Sequence, residues 1–135
     1  MTIVRELTKK HFLMGDGHLS YEDLTDMQYC MVQAKGGAAP SRMTIGKPTA
    51  QGDIVYGVLQ LEVTASGVMT EVQTRGHAEV RANAAISSGA EVTVSGTNGY
   101  VEAAATGDYV CGIAREAASG SGHLISIQLC GYYKP

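Results

Sequence analysis

A chain of 135 residues with 17 Gly, no Trp, one Phe and seven Tyr can bury one core, and that core must rest on Val, Ile, Leu and Ala, not on aromatic anchors. The net charge is −3, and residues 52 to 130 carry eight acidic against three basic side chains, which excludes the clustered basic face that nucleic acid requires. No run of 18 apolar residues exists to span a membrane, and the bases Arg5, Lys9 and Lys10 lack the apolar core and cleavage site of a secretory signal.

Residues 1 to 26 differ from the rest of the chain. Ile3, Val4, Leu7, Phe12, Leu13 and Met14 are interrupted by Arg5, Glu6, Lys9 and Lys10 in a pattern that fits neither a helix nor a strand, so this stretch reads as an arm. Asp16-Gly17 marks a turn, and Ser20-Tyr21-Glu22-Asp23 has the form of a capping box for at most one helical turn. The first strand is expected over Met27 to Ala34, followed by a loop from Lys35 to Arg42 and a short strand from Met43 to Ile45 before Lys47-Pro48. Ile54 to Leu61 is apolar almost throughout, as in a strand covered on both faces.

Short runs then recur between Gly, Ser, Thr and Asn: Val63, Val68 to Val72, Gly76 to Val80, Ala85-Ile86, Glu91 to Val94 and Tyr100 to Ala103. This spacing predicts an antiparallel sandwich or barrel. Asn98-Gly99 suits the positive φ values of a hairpin turn, which pairs Glu91 to Val94 with Tyr100 to Ala103. Tyr109 to Ala114 and Leu124 to Leu129 form a closing hairpin around Gly120 and Gly122, with Ile125, Ile127 and Leu129 on its buried face. Gly52-Asp53-Ile54-Val55-Tyr56-Gly57-Val58 and Gly107-Asp108-Tyr109-Val110-Cys111-Gly112-Ile113 enter strands in the same way, a hint of two related halves. In each, the inner Gly allows a bend, a bulge or the close approach of another backbone.

Residues for chemistry are present without the patterns that chemistry needs. Cys30, Cys111 and Cys130 form no Cys-x-x-Cys pair and are expected to be reduced, buried thiols. The sequence does not exclude a Cys111 to Cys130 disulfide across the closing hairpin, but a chain made in a reducing cytosol would not normally keep one. His11, His18, His77 and His123 stand at no metal-ligand spacing, and Asp16, Glu22 and Asp23 miss the positions of a calcium loop, so no metal site is expected. Ser119 and Ser121 lie in a Gly-rich turn with no Gly-x-Ser-x-Gly elbow, and no Gly-rich stretch continues into the Lys-Ser or Lys-Thr of a phosphate loop. No enzyme activity and no cofactor are expected.

Gly52 to Gln60, Ile86-x-x-Gly89-x-x-Val92, Asn98-Gly99, Gly107 to Ala114 with Glu116-Ala117-Ala118, and the strand Leu124 to Leu129 together resemble the capsid decoration, or cement, proteins of tailed bacteriophages. The resemblance spans residues 27 to 130. It implies an all-β domain, a small antiparallel β-barrel or β-tulip; residues 1 to 26, read as an N-terminal arm, and 131 to 135, read as a tail, lie outside the resemblance. It also implies a structural virion protein on the outer surface of an icosahedral head, bound as a homotrimer at three-fold or quasi-three-fold sites and stabilising the expanded capsid against DNA pressure. The implied partners are the major capsid protein and further copies of the chain. The apolar residues of the arm, Ile3, Val4, Leu7, Phe12 and Leu13, are then the expected capsid-binding residues, lying on the capsid or adding to one of its strands. The alternative is a carbohydrate- or receptor-binding module on the virion surface, although Tyr132-Tyr133 is the only adjacent aromatic pair.

Overall fold

The computed structural model describes residues 17–35, 44–61, 63, 65–67 and 69–135. Their short apolar runs become ten strands, with no helix among the described residues. β1 (Gly17–Ser20), β2 (Met31–Lys35), β3 (Thr44–Gly46), β4 (Gly57–Leu59) and β5 (Met69–Gln73) close into a barrel in the order β1-β3-β2-β4-β5. Closure depends on β1, which runs parallel to β3 and antiparallel to β5. β6 (His77–Arg81), β7 (Glu91–Val94), β8 (Val101–Ala103), β9 (Tyr109–Ala114) and β10 (Leu124–Tyr133) form an antiparallel sheet in the order β6-β10-β9-β7-β8. The domain is all-β and barrel-based, as expected.

The apolar run around β4 explains how the two parts are held together. Successive side chains of a strand point to opposite faces. Val32 of β2 and Leu59 of β4 accordingly pack with Leu24, Ile45 and Val72 in the barrel cluster, whereas Met31 and Val58 join Val80, Val92, Ile125 and Ile127 of the sheet. β4 and the Met31–Val32 end of β2 are thus buried on both faces. Each such aliphatic side chain contributes about 1.5 to 3 kcal/mol on burial. The inner glycines of the two Gly-Asp stretches serve close approach: a Cβ at Gly57 would strike the Gln73 carbonyl, and one at Gly112 would lie 3.0 Å from the Gln128 carbonyl and 2.6 Å from Ile127 Cδ1.

The strands β7 and β9 have the predicted limits, and β7 pairs with β8 through the register Val94 to Val101. The turn between them differs from a two-residue Asn-Gly turn. Gly99 takes φ 74°, but Asn98 works through its side chain, whose Oδ1 accepts from Ser95 Oγ at 2.9 Å and from Tyr100 N–H at 3.1 Å.

Elsewhere the expectations need correction. The strand expected from Met27 starts at Met31, because Met27 and Cys30 reach the barrel core from successive turns in which Asp26 and Tyr29 adopt φ 64°. Residues Gly17–Ser20, expected as a turn leading to a helical cap, are the barrel strand β1. Lys35, expected in a loop, ends β2, and the rest of that loop, 36 to 42, lies outside the described residues. Ile54 is exposed because the chain is held beside the sheet there and enters β4 only at Gly57. The pairing of β9 with β10 continues past Leu129, through a bulge, to Tyr132 opposite Val110 and Tyr133 opposite Tyr109. Cys30 and Cys111 are buried, but Cys130, at that bulge, is exposed; all three thiols are free.

Candidate interaction surface

The two Gly-Asp stretches meet in space. Gly52 N–H donates to the Val94 carbonyl and Tyr109 N–H donates to the Gly52 carbonyl, each at 3.0 Å. Gln51 Nε2 donates to Asp108 Oδ2 at 3.0 Å, and the same oxygen accepts from Ala105 N–H at 2.9 Å. This stitching fixes the approach to β4 against the entry to β9. It leaves Ile54 51% exposed beside a shallow apolar hollow formed with Gln33, Ala34, Val55 and Tyr56.

The end of β10 carries the other exposed large side chains of this region, with Tyr133 60% exposed and Tyr132 39%. Tyr133 is braced by an edge-to-face contact with Tyr109, ring centroids 5.5 Å apart. Tyr132 donates its hydroxyl proton to Glu91 Oε2 of β7, and Lys134 Nζ lies 3.3 Å from Glu91 Oε1 while donating to the Ala104 carbonyl at 3.1 Å. The Tyr132 hydroxyl, followed by the Lys134 ammonium, holds Glu91 below its ordinary carboxylate range, and accepting carboxylate chemistry pushes Tyr132 up to about 12. The C-terminal strand is thereby pinned across β9 onto β7.

Between barrel and sheet lies a groove of about 430 Å³, lined among others by Tyr56, Arg75, Tyr109, Gln128, Cys130 and Gly131. Among the described residues Arg75 is the only lining side chain with a formal charge at neutral pH, and it has no ion-pair partner there. The thiols are poor nucleophiles, since reactivity needs thiolate. Burial pushes Cys111 up to about 12 and Cys30 up to about 11; burial, with the Glu91 charge adding, also raises Cys130.

Ser119 Oγ stands 2.9 Å from His123 Nδ1 on an exposed turn, but no carboxylate among the described residues orients that imidazole. His77 Nδ1 faces Arg115 at 3.0 Å instead of an acid. Neither arrangement has the three coupled members of an acyl-transfer site. Among the described residues no group of three His, Cys, Asp or Glu side chains could hold a metal ion.

The expected capsid-binding residues Ile3, Val4, Leu7, Phe12 and Leu13 lie outside the described residues. Ile54 and the Tyr132–Glu91 contact were not singled out by the sequence reading. The signal for the second was Tyr132-Tyr133 itself, placed just beyond an alternating strand.

Residues 32–129 match a family model described as phage cement protein. No curated protein sequence matches the chain. Among solved structures, the fold is similar to that of the head fiber gp8.5 N base of bacteriophage phi29, with a TM-score of 0.66 at 19% identity over 85% of this chain and 93% of that one.

Proposed function

The chain belongs to the phage cement protein family, and from that membership we propose that it binds the outer surface of an icosahedral head as a homotrimer and stabilises the expanded capsid against the pressure of packaged DNA. The carrying observation is the extent of the match: residues 32–129 run from the barrel strand β2 into the middle of the sheet strand β10. A structural role associated with the phage capsid follows from the family alone. The trimer, its three-fold or quasi-three-fold position and its contact with the major capsid protein are the finer reading.

The physical logic is avidity. A closed three-fold assembly presents three identical attachments, so modest affinity per subunit becomes firm attachment once the first subunit is bound. The segment containing Ile3, Val4, Leu7, Phe12 and Leu13 supplies that attachment in this account, by lying on a capsid protein or adding to one of its strands.

The test is deletion of residues 2 to 14, followed by co-sedimentation with expanded heads that lack this protein. The truncated chain is expected to keep the mass of the full-length assembly and to lose binding. Undiminished co-sedimentation would remove the arm from the account.

A further inference from the structure

The sheet strand β10 is ten residues long, but its neighbour β6 covers only its first half, pairing Leu124 to Gln128 with Arg81 to His77. The last bond on that side is from Leu129 N–H to the Gly76 carbonyl at 2.8 Å. Beyond it, no strand among the described residues pairs with that side of β10. Lys134 donates its N–H to the Asp108 carbonyl and accepts from Gly107 N–H, both at 2.9 Å on the β9 side. The alternation of an antiparallel ladder therefore turns the N–H and C=O of Tyr133 to the open side.

This open edge borders the groove that holds Arg75, Cys130 and Gly131. We infer that the edge of β10 from Cys130 to Tyr133 accepts an extended segment of a partner protein, and that Arg75 selects a segment bearing a carboxylate side chain. Strand addition supplies the main-chain hydrogen bonds that the edge lacks, and the groove beside it takes the side chains. Among the described residues Arg75 has no ion-pair partner and is the one charged side chain lining the groove, on a part of the chain where acidic residues outnumber basic ones. An acidic segment would meet its one attractive partner there, whereas the chain's own residues 2 to 14, rich in Arg5, Lys9 and Lys10, would meet a like charge.

A second copy's β10 is a poor occupant. The bulge between Leu129 and Tyr132 breaks the straight run of edge groups that two identical strands would need, and bulges are a common means of blocking edge-to-edge association. The inference goes beyond the cement reading, since it concerns what the chain receives and not how its arm attaches.

Cys130 gives a direct readout, because its exposed thiol lines the groove. The full chain is labelled with a maleimide at millimolar concentrations of the capped peptide Thr-Val-Glu-Val-Thr-Val, and amide exchange at Tyr133 is followed in parallel. The peptide is expected to slow both. Its counterpart with Lys in place of Glu should bind about two- to fivefold more weakly, the range of an exposed ion pair, and Arg75→Gln should abolish that preference while leaving the fold intact. Absence of protection by either peptide would overturn the inference, as would equal protection by both. Stronger protection by a peptide of residues 2 to 14 would also overturn it and assign the edge to the arm of a neighbouring copy.

Discussion

Gly52 and Tyr109 are joined by a 3.0 Å hydrogen bond from the Tyr109 N–H to the Gly52 carbonyl, so the two similar strand entries of the sequence are neighbours in the fold. Gly52 sits at φ 77°, and a Cβ there would lie 2.5 Å from Asp108 Oδ1. Gly52→Ala is expected to destabilise the chain by roughly 1 to 3 kcal/mol, combining left-handed backbone strain with displacement of Asp108 from Gln51 and Ala105. Gly89→Ala is the control, with φ 85° and nothing within 4 Å of an added Cβ. Urea titration should show a larger loss at Gly52; equal losses would mean that the Asp108 contact carries no cost.

Leu59 is fully buried in the barrel cluster, and Met31, on the other face of the same wall, is 1% exposed in the sheet cluster. Truncation of either to Ala should cost about 2 to 5 kcal/mol, because each leaves a cavity in a packed core. Since β2 and β4 belong to both cores, fluorescence and far-ultraviolet circular dichroism should report coincident unfolding transitions for each variant. A Met31→Ala protein that loses the sheet while keeping the barrel would contradict the shared wall.

Glu91 links acid stability to the C-terminal strand. Its folded pKa lies below the ordinary carboxylate range, chiefly through the Tyr132 hydroxyl and then through Lys134. The folded state therefore binds the Glu91 proton less readily than the unfolded state does. This stabilisation is present above the unfolded carboxylate pKa and is lost as pH falls through the lower folded value. Tyr132 acts at the other end: its pKa of about 12 favours the neutral phenol in the folded chain, so its contribution holds below the ordinary tyrosine pKa and fades as pH rises toward about 12. Melting curves of Glu91→Gln should show a weaker decline between neutral and acid pH than those of the unaltered chain. An unchanged decline would assign acid sensitivity to other carboxylates.

The thiols should separate by exposure. Cys130 is expected to react with maleimide in the folded chain, whereas Cys30 and Cys111 should react only after denaturation. Mass spectrometry of the labelled peptides decides this, and native labelling of Cys111 would show that the sheet opens.

Local rules made much of the sheet legible. Tyr109 to Ala114 is bounded by Gly-Asp and a polar turn, and Glu91 to Val94 by Gly89 and the Ser95 turn, so their limits follow from neighbouring residues alone. The barrel was less legible because its closure is non-local. Thr44–Gly46 and Gly57–Leu59 are only three residues long, and the parallel pairing of Ser20 with Ile45 has no signature in either segment. Met27 and Cys30 mimic strand residues because turns at Asp26 and Tyr29 aim them inward. At the other end, Cys130 and Gly131 interrupt the alternation of β10 with a bulge, which concealed the continuation to Tyr132 and its contact with Glu91. The open edge depends on where β6 ends relative to β10, a relation that no single segment encodes.

Self-association is the next consequence of the cement account. Light scattering across a dilution series should give a mass near three times 14.2 kDa. A monomer at every concentration would contradict a trimer formed before attachment.

The most direct measurement is the temperature at which DNA-filled heads lacking this chain release their genome, with and without the purified protein added back. A cement adds buried contacts across junctions that internal pressure would otherwise open, so the release temperature should rise and saturate as the sites fill. An unchanged release temperature at saturating protein would contradict a stabilising role on the capsid.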